Sequence, residues 1–146
     1  NQYAWDTSKV PDGRYLLRLT VSDEMNNPGN EVEKDRQITE PFVVDNRRPL
    51  VKELQAKGKQ GAKIFTISGT VEDETSPITS IRVSMDSGDW KPVFAADGIL
   101  DSPKEKFQYT TDELELEEHV FVFMAEDAAG NIGSAKIVVR RAEAAK

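Results

Sequence analysis

His119 is the single histidine of the chain and the one side chain that could serve as an imidazole base. That chemistry needs a nucleophile or an orienting carboxylate within hydrogen-bond reach. Its neighbours Glu117 and Glu118 adjoin each other and read as turn solvation rather than as an acid/base pair. No Gly-rich phosphate loop and no nucleophile elbow occurs in the sequence. Acids and amides gather in three places: Asp23, Glu24, Asn26, Asn30 and Glu31; then Glu72, Asp73 and Glu74; then Asp127 with Asn131. Calcium collects about six to eight such oxygens, so Asp23, Asn30, Asp73, Asp127 and Asn131 are its candidate ligands. None of these groups has the spacing of an EF-hand loop. The competing reading has Asp23 and Asp127 accepting backbone N–H groups inside their own loops, as Asx-turns do. On that reading, which we adopt, no metal and no cofactor is expected. Trp90, Phe94 and Tyr109 could stack against a sugar, and alternation along residues 89–94 sets Trp90, Pro92 and Phe94 on one face. Burial in a core is the competing use of such rings. Arg47-Arg48 and Arg140-Arg141 read as solvated strand ends.

What must position these residues is bounded by composition. The chain has 146 residues, 19 Lys plus Arg against 26 Asp plus Glu, no cysteine and a formal charge of −7. Without cysteine there is no disulfide framework, thiol nucleophile or Cys-rich zinc site. The acidic excess repels phosphate backbones and anionic lipid, so neither nucleic acid nor a membrane surface is an expected partner. No apolar run reaches the roughly 18 residues of a membrane-spanning helix, and no membrane insertion is expected. The sequence starts at Asn1 without the basic and apolar regions of a signal peptide, which reads as a piece of a longer protein.

Helical periodicity is nearly absent, whereas β-branched and aromatic runs bounded by Gly, Pro, Asn and Asp recur throughout. That is the pattern of an all-β sandwich or barrel. Strands are predicted near 3–7, 14–22, 38–45, 51–55, 63–72, 79–86, 90–95, 106–111, 118–126 and 134–141. Turn residues separate them, at Pro11-Asp12-Gly13, Asn27-Pro28-Gly29-Asn30, Asp86-Ser87-Gly88-Asp89 and Ala129-Gly130-Asn131. The tail 142–146 has helix-favouring composition and is too short to hold a helix alone.

An internal repeat organises the strands. Laying Tyr15 on His119 also places Trp5 on Tyr109, Val10 on Leu114, Leu17 on Phe121, Leu19 on Phe123, Val21 on Ala125 and Asp23 on Asp127. With short insertions in the first copy, Gly29-Asn30 then meets Gly130-Asn131, and Phe42-Val43-Val44 meets Ile137-Val138-Val139. A period near 100 residues is the size of an immunoglobulin-like sandwich. The linker Asp45-Asn46-Arg47-Arg48-Pro49 ends a strand. Residues 49–146 are therefore expected to form one complete seven-stranded domain, and residues 1–48 the last three strands of another.

In the strand at 118–126, His119, Phe121, Phe123 and Ala125 share one face and Val120, Val122 and Met124 the other. An antiparallel strand with one wet side should alternate apolar with polar. A covering surface is expected over Val120, Val122 and Met124, supplied by the first copy or by a second chain in a homodimer. In the first copy, Tyr15, Leu17, Leu19 and Val21 are expected to face inward and Arg18 and Thr20 outward.

Trp5, Pro11-Asp12-Gly13-x-Tyr15, Asp23, Gly29-Asn30, Pro41-Phe42-Val43-Val44-Asp45-Asn46 and Glu126-Asp127-Ala128-Ala129-Gly130-Asn131 together resemble bacterial immunoglobulin-like or fibronectin-III-like modules. Such modules occur in tandem on secreted and surface proteins and after β-propeller repeats. The resemblance implies an immunoglobulin-like antiparallel β-sandwich preceded by a partial, three-stranded copy. It implies a non-catalytic spacer or protein-interaction unit, placed extracellularly, in the periplasm or on the cell surface, whose partners are neighbouring domains or another protein. The alternative is a carbohydrate-binding accessory module using Trp90 and Phe94. The family's tyrosine corner maps onto Tyr15, and the second copy departs from it with His119.

Overall fold

The computed structural model describes residues 3–27, 29, 32–59 and 61–141. Among them there is no helix; every regular element is a strand in an antiparallel ladder. Contacts divide the chain into two units, Asn1–Val44 and Asp45–Lys146, and each is described by itself.

In the second unit, β5 (Leu50–Lys57), β6 (Thr66–Glu72) and β9 (Lys104–Thr110) form one sheet in the order β5-β6-β9. The other sheet runs β11-β10-β7-β8, from β7 (Ile78–Met85), β8 (Lys91–Val93), β10 (Glu118–Asp127) and β11 (Ile132–Arg140). The sheets pack face to face over Ile67, Val71, Ile78, Ile81, Val83, Phe107, Leu114, Phe121, Phe123 and Ala125. The Phe107 ring from one sheet stands 5.0 Å from that of Phe123 on the other. Strand alternation accounts for this arrangement, since β10 buries His119, Phe121, Phe123, Ala125 and Asp127 and leaves the residues between them half-buried. At one margin, residues 94–96 leave β8 for the opposite sheet: Ala95 bridges to Phe107, and Ala96 N–H donates to Lys106 O at 2.7 Å.

Two devices seat the segment leading into β5. The Pro49 carbonyl lies so close to Gly133 on β11 that a Cβ there would stand 1.8 Å from it, so the approach requires glycine. Farther back, Asn131 Nδ2–H donates to Asp45 O at 3.1 Å. Asn131 is itself placed by the β10–β11 turn, where Gly130 takes φ +86° and its N–H reaches Asp127 O at 3.2 Å.

The first unit holds β1 (Gly13–Tyr15), β2 (Arg18–Ser22), β3 (Lys34–Ile38) and β4 (Phe42–Val44), paired β1 with β4 and β2 with β3. The continuous strand expected at 14–22 is interrupted. Between the pairs Tyr15↔Phe42 and Arg18↔Ile38, Leu16 and Leu17 oppose Thr39, Glu40 and Pro41. Pro41 has no N–H to donate, and the Thr39 hydroxyl takes the Leu17 N–H at 3.0 Å instead. Residues 3–7, expected as a strand, join no ladder. Trp5 is held there by edge-on contacts with Tyr15 and Phe42, ring centroids 6.5 and 6.1 Å away. The expected inward face is a second correction, because Leu17, Leu19 and Val21 are exposed. An alternating ribbon buries a face only where a second layer meets it. Asn30, one of the calcium candidates, and the tail 142–146 lie outside the described residues.

Candidate functional site

The acidic residues separate by what they bind. Asp23 is spent within its own loop: Oδ1 accepts the Glu33 N–H at 2.8 Å and Oδ2 accepts Asn27 Nδ2–H at 2.6 Å. The Asn27 amide, followed by the Glu33 N–H, holds this carboxyl below its ordinary range. Glu24 pairs with Lys34. Glu72, at the end of β6, is taken by Lys52 and Lys104, and Glu74, in the loop that follows, by Arg47. The ammonium groups, Lys104 first, lower the Glu72 pKa.

Asp73, between those two, behaves differently. One of its oxygens accepts the N–H groups of Thr75 and Ser76 at 2.8 and 2.9 Å. Its Oδ2 is buried and has no hydrogen-bond partner. Asp127, at the end of β10, accepts the N–H groups of Ala129 and Asn131 on Oδ1 at 2.8 and 2.9 Å, and Asn131 Nδ2–H on Oδ2 at 3.0 Å. These two converge with Asp45, which by sequence alone marks only the end of a strand. One oxygen from each of Asp45, Asp73 and Asp127 lies within 4.8 Å of one from each of the others. Asp45 is 8% exposed. Its Oδ1 accepts the Arg47 N–H at 3.1 Å, and its Oδ2, like that of Asp73, is buried without a partner. Three carboxylates are thus anchored through backbone donors with two oxygens unpaired. Asn131 enters this group as the side chain bracing Asp127 and the Asp45 carbonyl.

His119 is buried on β10 with both ring nitrogens engaged. Nε2 accepts the Leu116 N–H at 3.2 Å, which places the proton on Nδ1, and Nδ1–H donates to Asp86 Oδ2 at 2.5 Å. Asp86 sits in the turn after β7 with φ 50°, followed by Ser87 at 65°. A pair of left-handed residues here closed by Gly88 N–H to Met85 O at 2.8 Å is a type I′ turn. Asp86 Oδ1 accepts the Val120 N–H at 2.8 Å, and that bond, followed by the His119 contact, lowers the Asp86 pKa. Nε2, the atom a catalytic imidazole would turn to a nucleophile, is therefore occupied by backbone. Glu118 pairs with Arg140 on the neighbouring strand. Arg141 is half-buried and donates to the carbonyls of Leu114 and Glu115 at 3.3 and 3.0 Å, so of the second arginine pair only Arg140 is a solvated strand end.

The aromatic candidates part company as well. Tyr109 packs its ring against Phe121 and Phe123, joining the margin of the core. Trp90 and Phe94 stay outward at 45% and 70% exposure, and Phe94 lines a shallow groove with Pro92, Gln108 and Tyr109. Val120, Val122 and Met124 are half-buried. Their flanking residues in the sheet include Val138, Lys136, Ser134, Ser84 and Arg82.

No protein-family model matches the sequence, and no curated protein matches it.

Proposed function

We propose that the chain is a non-catalytic immunoglobulin-like module, a structural spacer or protein-interaction unit of a larger secreted or surface bacterial protein. The observation that carries this reading is the use made of His119. The chain's one imidazole spends both nitrogens fastening β10 to the Leu116 backbone and to the β7–β8 turn. The strand orders β5-β6-β9 and β8-β7-β10-β11 support it: seven antiparallel strands in two facing sheets, the strand count of such a sandwich, with the fourth strand beside the third rather than beside the fifth as in the constant-type immunoglobulin domain. So does Tyr15, whose hydroxyl donates to Pro11 O at 2.7 Å in the manner of a tyrosine corner. His119 fills the same need with reversed polarity, accepting from an N–H where Tyr15 donates to a carbonyl. A module of this kind works by geometry, presenting rigid ends and strand edges to its neighbours.

Light scattering on the column-purified chain tests the reading. A monomer whose mass does not change with concentration fits a spacer, and a dimer fits an interaction unit. Hydrolysis of any substrate in a broad hydrolase panel, abolished by His119→Ala, would overturn both.

The exposure of Trp90 and Phe94 favours one second reading, a carbohydrate-binding accessory module. It requires a polysaccharide that shifts the Trp90 emission and loses its effect on Phe94→Ala.

A further inference from the structure

We infer that Asp45, Asp73 and Asp127 form a binding site for a divalent cation, and that the cation is calcium. Two independent features carry the inference. The first is convergence: residues far apart in sequence, from the lead-in to β5, the β6–β7 loop and the β10–β11 turn, bring carboxylate oxygens within 4.8 Å of one another. Oxygens on opposite sides of one calcium ion, each at about 2.4 Å, are themselves about 4.8 Å apart. The second is the unpaired state of buried oxygens. Asp45, at 8% exposure, has an Oδ2 that meets no donor, and so does Asp73. A buried carboxylate oxygen left without a partner is costly, and three carboxylates at this spacing repel one another. A divalent cation relieves both.

The donor chemistry selects the ion. All three ligands are hard oxygens, without histidine or cysteine, which excludes a preference for zinc or copper. Magnesium keeps most of its water and is held by one or two carboxylates, whereas calcium accepts a largely protein-built cage. The anchoring is that of a prepared site. Each carboxylate is fixed by backbone N–H groups, from Arg47, from Thr75 and Ser76, and from Ala129 and Asn131, and hydrogen bonds of this kind hold a ligand's oxygens in one orientation. Asp73 also lines a surface cleft with Asn46, Arg47, Arg48, Leu50, Glu72 and Glu74. A bound cation would pin the lead-in segment, which carries Asp45, to two loops of the sandwich. The site lies wholly within Asp45–Lys146 and holds whether or not the module is a spacer.

The test is calcium titration of the chelator-stripped chain, followed by calorimetry and by thermal unfolding. A dissociation constant of about 10⁻⁴ M or tighter is expected, together with a rise in unfolding temperature of about 5 °C or more at 10 mM calcium, reversed by chelator. Asp45→Asn and Asp73→Asn keep an oxygen for the backbone donors while removing the charge. Each should weaken binding at least tenfold and still give a folded chain with an unaltered far-UV spectrum. Asp23→Asn, in the other unit, should bind as the parent does. Absence of heat and of any thermal shift up to 10 mM would overturn the site. Equal stabilisation by magnesium would overturn the choice of ion, and binding untouched in both cluster variants would overturn the ligands. The mass measurement decides the spacer reading separately, so failure of one leaves the other intact.

Discussion

Two hairpins of this molecule repeat the same local chemistry with opposite outcomes. In the first unit, Asp23 closes its loop by accepting the Glu33 N–H, and in the second, Asp127 does so by accepting the Asn131 N–H. Away from each loop an aromatic or imidazole ring grips nearby backbone, Tyr15 on β1 at Pro11 and His119 on β10 at Leu116. Yet Leu17, Leu19 and Val21 are exposed, while Phe121, Phe123 and Ala125 are buried. The turn chemistry of a hairpin is local and forms wherever its residues stand. Burial of the alternating face belongs to the sheet across from it, and in the second unit β5, β6 and β9 supply one.

Side-chain truncation gives the largest test of that contrast. Phe123→Ala removes a ring fully enclosed by the core and should cost about 3–5 kcal/mol in denaturant unfolding. Leu19→Ala, at 63% exposure, should stay within about 0.5 kcal/mol. Comparable costs at the two positions would break the comparison.

The ring locks should differ by less. His119→Ala removes a buried ring together with its hydrogen bonds to the Leu116 N–H and to Asp86 Oδ2, a loss of about 1–3 kcal/mol. Tyr15→Phe removes one exposed hydrogen bond and should cost about 1 kcal/mol or less. A Tyr15→Phe effect as large as that of His119→Ala would show that the exposed lock has a partner surface of its own.

Acid titration sharpens the comparison at its smallest scale. Asp86 and Asp23 both have folded-state pKa values lowered by donors, Val120 N–H and then His119 for the former, Asn27 and then Glu33 for the latter. A lowered folded pKa contributes stability that is present above the unfolded value, about 3.9, and lost as pH falls through the folded one. Asp86→Asn should therefore flatten the fall in stability of the second unit below about pH 4. Asp23→Asn should leave that curve alone; a matching change would mean that the two units unfold as one.

Much of the second unit was legible from residue order. The strands expected at 51–55, 63–72, 79–86, 90–95, 106–111, 118–126 and 134–141 all have counterparts between β5 and β11, because each carries β-branched or aromatic residues between turn formers. The first unit misled at 3–7, where Trp5 packs ring on ring without a ladder, at 14–22, where the opposing stretch between β3 and β4 carries Pro41, and at 38–45, which is divided between the end of β3, Lys34–Ile38, and β4, Phe42–Val44. Asp73 and Asp127 were visible as acids in loops. Asp45 was not, since nothing in the linker distinguishes a carboxylate that ends a strand from one that is turned into a cluster.

What the residue order determined by itself is the all-β character of the chain, the turns at Asp86-Ser87-Gly88 and Ala129-Gly130-Asn131, and the exclusion of thiol, disulfide and Cys-rich zinc chemistry. These depend on backbone preference and composition, which act over a few residues or over the chain as a whole. Only the tertiary structure decided which alternating faces are covered, that His119 accepts from backbone while gripping Asp86, and that three distant aspartates share one buried space. Those outcomes rest on the register between strands remote in sequence, where the distance between two carboxylates is set by every ladder that lies between them.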